Sequence, residues 1–103
     1  MATEVRFISL VPNMRLAPGE IIMTAGVDDL VQQGRLNPNQ YLRRHLGGDW
    51  GDLDEGDRRQ NDAALASGGV RLFSSYQVDR GLQLWIITES DRSVTTLLLP
   101  DEY

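Results

Sequence analysis

The chain has no cysteine, which excludes disulfides, thiolate metal sites and cysteine nucleophiles. It has no lysine either. All ten basic residues are arginine, against fifteen Asp and Glu, for a formal net charge of −5. A strongly basic footprint is therefore missing, and duplex nucleic acid held by counterion release is not an expected partner. No apolar run approaches the ~20 residues of a membrane span, because the longest, "LWII" and "LLLP", are strand-sized. The opening "MATEVRF" lacks the basic and apolar regions of a secretory signal, so a cytoplasmic location is the expectation. No serine sits in a G-x-S-x-G elbow, and no phosphate loop or dinucleotide fingerprint occurs.

What is present fits one domain over residues 1–103, with 41% hydrophobic and 24% charged residues, ordinary shares for a chain that builds a core. The run "TEVRFISLV" alternates and reads as a strand, "PNMRLAPGE" as a loop, and "EIIM" as a short second strand. Three helices follow, capped by Thr24, by Asn37 with Pro38 at the first helical position, and by Asp54. Gly34, Gly47-Gly48 and Gly68-Gly69 stop them. Tyr41, Leu42 and one of His45 or Leu46 give the second helix its buried face, and Ala63, Ala64 and Leu65 pack the third. In the last third, "VRLFSSYQV" and "LQLWIITE" flank Asp79-Arg80-Gly81, which suits a hairpin with a bulge at the glycine. The implied register sets Tyr76 against Leu84 and Ser74 against Ile86 on one face, with Phe73, Trp85 and Ile87 on the other. "SDRS" makes the next turn and "VTTLLLP" the last strand. The predicted fold class is α+β: an antiparallel sheet of three to five strands, β-(β)-α-α-α-β-β-β, with helices packed on one face.

Two stretches carry the chemistry-bearing residues. "RRHLGGDWGDLDEGD" holds the only histidine, His45, with Trp50 and the carboxylates Asp49, Asp52, Asp54, Glu55 and Asp57. Counted from Asp49 as a calcium loop, the sixth position is Asp54 and the twelfth Gln60, where glycine and glutamate are needed, so no metal is expected. Helix capping explains most of the stretch: carboxylates complement a helix start, glycines allow tight turns and Trp50 plugs the junction. His45, near a helix end, is expected to meet the last carbonyls. His45 and Asp49 are not needed for capping, and they remain the candidates for function.

The second stretch, "TESDRSVTT", packs Glu89, Asp91 and Arg92 among hydroxyls around a turn. Turn bonds by Ser90 and Asp91, with Arg92 pairing Glu89 or Asp91, account for these residue types. The alternative is a polar pocket, with His45, Glu89 and Arg92 as base, acid and phosphate clamp. That set is similar in architecture and residue type to small ribonucleases and ribonuclease toxins. A third possibility is a small-ligand pocket walled by Trp50, Tyr76 and Trp85.

"RRHLGGDWGDLDEGDRRQND", "RLFSSYQV" and "LWIITESDRSVTTLLLPDEY" together resemble a family of small bacterial proteins carried on plasmids and integrative elements. The resemblance covers roughly residues 40–103, with landmarks that include His45, Asp49, Trp50, Asn61, Ser74, Tyr76, Thr88, Arg92 and Thr95. It implies a mobile-element setting and no established activity. The expected function is a non-enzymatic accessory or regulatory protein that works by contact with another protein, without a cofactor. One form of it is an inhibitor of host defence, of the anti-restriction or anti-CRISPR type, whose Asp49, Asp52, Glu55 and Asp57 meet a basic site. The binding candidates are Asp49, Trp50, Asp52, Tyr76, Asp91 and Arg92. The deciding question is whether the "GDWGD" turn lies against the "TESDRS" turn.

Overall fold

The computed structural model describes residues 3–4 and 14–103. Residues 5–11 of the strand expected over 3–11, and the start of the following loop, lie outside the described residues. Strands β1 (Thr3–Glu4) and β2 (Glu20–Met23) precede three helices, α1 (Ala25–Gln32), α2 (Pro38–Leu46) and α3 (Glu55–Ser67). Strands β3 (Leu72–Asp79), β4 (Leu82–Thr88) and β5 (Val94–Leu98) follow, and a single 3₁₀ turn spans Pro100–Glu102.

Each helix starts where its cap chemistry says it should. Thr24 accepts from the Val27 N–H, Asn37 from the Asn39 N–H, and Asp54 from the Asp57 N–H, so each cap satisfies an otherwise orphaned donor. The hairpin between β3 and β4 sets Tyr76 opposite Leu84 and Ser74 opposite Ile86, with a register shift between Gln77 and Asp79 and Gly81 at φ +74°. That is the bulged hairpin the turn sequence predicts.

The sheet runs β1-β2-β5-β4-β3. It is mostly antiparallel, and β2 pairs with β5 in parallel. The parallel pair follows from the connection. The chain leaves β2 through the helices and returns as a three-strand meander, whose first and third strands run the same way.

One face of the sheet presents Ile21, Met23, Leu72, Ser74, Tyr76, Leu84, Ile86, Thr88, Thr95 and Leu97, all buried. Against it pack Val27 and Leu30 from α1, Tyr41, Leu42, His45 and Leu46 from α2, and the connecting residues Leu36, Trp50 and Leu53. The third helix departs from expectation. It buries Asn61 and Ala64, while Ala63 is exposed and Leu65 half-buried. A helix with so narrow an apolar stripe cannot lie flat on the sheet, and it sits beside the outer strand β3 instead.

That placement solves an edge problem. β3 ends the sheet, so its outward N–H and C=O groups need partners. The Asn61 amide donates to the Phe73 carbonyl (2.7 Å) and accepts from the Phe73 N–H (3.2 Å). Ser75 N–H donates to the Trp50 carbonyl (3.2 Å), and Asp52 N–H donates to the Ser75 carbonyl (2.6 Å). Asp52 Oδ2 then accepts from the Gln77 N–H (2.7 Å). Alternate residues of the edge, Phe73, Ser75 and Gln77, are thus closed off by α3 and the loop before it.

Candidate functional site

The loop of residues 47–54 is positioned by this edge pairing. Gly51 forms a parallel bridge with Ser75 at φ +75°. A Cβ on Gly51 would sit 2.1 Å from the Ser75 carbonyl oxygen, so only glycine lets the loop approach the strand. Asp49 turns the loop: its Oδ1 accepts from the Gly51 N–H (3.0 Å), and its Oδ2 accepts from Arg44 Nε (2.7 Å). The Arg44 hydrogen bond, helped by the Gly51 N–H, holds the Asp49 carboxyl below its ordinary range against partial burial. The Asp49 carbonyl takes the Tyr76 hydroxyl (2.6 Å). Burial pushes the Tyr76 phenol well above its ordinary pKa. Trp50 is 3% exposed, and its indole N–H donates to Asp62 (2.9 Å).

His45 does not cap its own helix, as position alone suggested. It is fully buried and points into the sheet. Nδ1 lies 2.5 Å from Ser74 Oγ, and Nε2 lies 2.9 Å from Thr88 Oγ1. Thr88 Oγ1 is 2.8 Å from Thr95 Oγ1, which donates to the Pro18 carbonyl over 2.7 Å.

The far end of this chain fixes the direction of each bond back to His45 Nε2. A carbonyl can only accept, so Thr95 donates to Pro18. A hydroxyl has one proton, so Thr95 accepts from Thr88, and Thr88 accepts from His45 Nε2. In the neutral ring Nδ1 is then the acceptor, with Ser74 as its donor. A neutral His45 is therefore the Nε2–H tautomer. Four aligned hydrogen bonds link α2, three strands and the loop before β2, each polarising the next. Burial, with a smaller push from the positive Arg92, lowers the His45 pKa to about 3. The ring also meets Trp50 edge-on, with centroids 5.5 Å apart.

Arg92 closes a different junction. It adopts φ +62° at the β4–β5 turn. Its guanidinium donates to the carbonyls of Val70 (2.7 Å), Glu89 (3.2 Å) and Ala64 (3.2 Å). It thus binds the turn to the end of α3 through backbone oxygens, where pairing with the Glu89 or Asp91 carboxylate was expected. Asp91 accepts instead from the Ser93 hydroxyl (2.6 Å) and N–H (3.0 Å), which lower its pKa, and Glu89 is exposed.

Among the described residues one hydrogen bond joins the two stretches. "GDWGD" lies along Ser75–Gln77, while Arg92 sits at Val70, beyond the other end of β3. Thr88 alone, at the end of β4, reaches His45. His45, Glu89 and Arg92 share no hydrogen bond among the described residues. The three rings proposed for a pocket also part company: Trp50 and Tyr76 are buried, and Trp85 faces the opposite side of the sheet. Two open clefts, of about 480 and 340 Å³, are lined by Gln77, Leu82 and Leu99 and by Asp57, Arg71 and Phe73, and none of His45, Trp50, Tyr76, Trp85, Glu89 or Arg92 lines either. Among the described residues, no group of three or more histidine or carboxylate side chains could hold a metal ion.

Ser74, Thr88, Thr95 and Asn61 escaped selection as site residues. A signal for them existed. The hairpin register put Ser74 on the core face, and a buried hydroxyl needs a partner. The chain's only histidine, on the buried face of a helix, was the natural one. No family model, curated protein or solved structure matches the chain.

Proposed function

We propose that the protein is a non-enzymatic accessory of a mobile element, acting by contact with another protein. The observation behind this reading is how its reactive side chains are used. His45 is sealed in a neutral hydrogen-bonded chain, Arg92 is occupied by backbone carbonyls, and no buried side-chain polar atom among the described residues lacks a partner. A catalytic base needs access to a substrate proton and a pKa near the working pH, and this histidine has neither. The exposed carboxylates Glu55 and Asp57 at the start of α3 offer a contact for a basic partner. An inhibitor of a basic nucleic-acid-binding protein is the specific form this suggests.

The test pairs two assays on the full chain. Purified protein is incubated with RNA, and the same protein is cross-linked in a lysate of the cells that encode it. The expected outcome is no RNA cleavage, with a cross-linked partner lost both at high salt and in Glu55→Lys/Asp57→Lys. RNA cleavage that disappears in the exposed-site variant Glu89→Gln would overturn the reading in favour of a nuclease.

A further inference from the structure

Residues Leu99–Tyr103 fold back across the molecule as a short strap. The Glu102 carboxylate lies at the start of α1. Its Oε1 accepts from the Thr24 hydroxyl (2.5 Å) and the Leu99 N–H (2.9 Å), and its Oε2 accepts from the Gly26 N–H (2.9 Å). A Cβ on Gly26 would stand 2.6 Å from that carboxylate, so a side chain there would push the end of Glu102 aside. Partial burial works against ionisation here, yet the Thr24 hydroxyl and the two N–H groups hold Glu102 below the usual carboxylate range.

The next residue fills a second subsite. The Tyr103 ring meets Trp85 edge-on at 5.8 Å, and Trp85 meets Phe73 the same way at 5.1 Å. The Arg71 guanidinium lies over the Tyr103 ring, 5.5 Å from its centroid, and donates to its hydroxyl (2.7 Å). A helix start and an arginine, both electropositive, thus frame a half-buried tryptophan in a chain of net charge −5.

We propose that Thr24, Gly26, Arg71 and Trp85 form a receptor for a partner-protein segment carrying an acidic residue followed by an aromatic one, and that the strap occupies it in cis. The occupant's chemistry is read directly from Glu102 and Tyr103. The closure is weak enough to exchange. Tyr103 is 69% exposed, and exposed polar contacts of this kind contribute little net stability. The strap holds its place mainly by tethering, at an effective concentration in the millimolar range. A segment of the same chemistry supplied by a partner competes on those terms. The receptor residues are not the α3 carboxylates, although Arg71 shares a cleft with Asp57, and the inference does not depend on the proposed function.

The experiment uses the full chain with Glu102→Gln/Tyr103→Ala, titrated with the synthetic peptide acetyl-Leu-Pro-Asp-Glu-Tyr. The readout is the indole N–H signals of the two tryptophans by NMR. The expected result is a saturable shift of the Trp85 signal, with Trp50 unmoved. The wild-type chain should need about tenfold more peptide, because its own strap must first leave. A peptide with Gln-Ala in place of Glu-Tyr should not bind. If the double variant loses spectral dispersion, Glu102→Gln alone carries the same comparison. A folded variant whose Trp85 signal ignores millimolar peptide would overturn the proposal, as would equal binding by variant and wild type.

Discussion

The seam around His45 and the strap around Glu102 are both built from polar side chains reaching across the chain, and they differ in burial. In the seam, Ser74, His45, Thr88 and Thr95 are removed from water and each has its partner. In the strap, Glu102 and Tyr103 make as many contacts but stay in solvent. A hydrogen bond contributes little net stability when water can replace it. It matters far more when breaking it leaves a buried group alone. The seam should therefore hold the fold, and the strap should be free to open.

Substitutions can strain that contrast, beginning where the loss is greatest. Gly51→Ala forces a left-handed conformation and a clash with the Ser75 carbonyl, so it should cost about 4 kcal/mol or more, or prevent folding, as read by urea unfolding. His45→Leu keeps the volume but strands the Ser74 donor and the Thr88 acceptor in the core, at about 2–4 kcal/mol. Asn61→Ala uncovers both backbone groups of Phe73 on the sheet edge, at about 1–2 kcal/mol. Glu102→Gln should cost less than about 1 kcal/mol and leave thermal unfolding nearly unchanged. A reversed order between His45→Leu and Glu102→Gln would break the comparison.

The seam also has a pH signature. The unfolded histidine has its ordinary pKa of 6.5, and the folded one about 3. The unfolded chain therefore binds the extra proton first as pH falls. The stability that comes with a neutral His45 is complete above pH 6.5 and is lost on acidification toward pH 3, at up to about 1.4 kcal/mol per pH unit. The slope between pH 6 and 4 should be shallower in His45→Leu, measured by urea midpoints across that range.

Much of the scaffold was legible because it rests on local chemistry. Thr24, Asn37 and Asp54 announce helix starts through side chains that bond within three residues. The bulged hairpin follows from Gly81. The parallel pairing of β2 with β5 was not legible, because it joins segments more than seventy residues apart. Asp49 caps no helix, and its partners, Arg44 and the Gly51 N–H, lie close in sequence. Nearness to a helix end points His45 toward the last carbonyls, but its place on the buried face decides its partners. Its partners lie 29 and 43 residues away and emerge only once the hairpin register is carried through to the core.

The protonation state of that one ring decides whether the seam is built as described. Nitrogen-15 NMR of the His45 imidazole from pH 7 to pH 5 reads it without substitution. A neutral Nε2–H tautomer that does not titrate while the protein stays folded is the predicted result. An imidazole that takes up a proton near pH 6.5 with the fold intact, or that carries its proton on Nδ1, would contradict it.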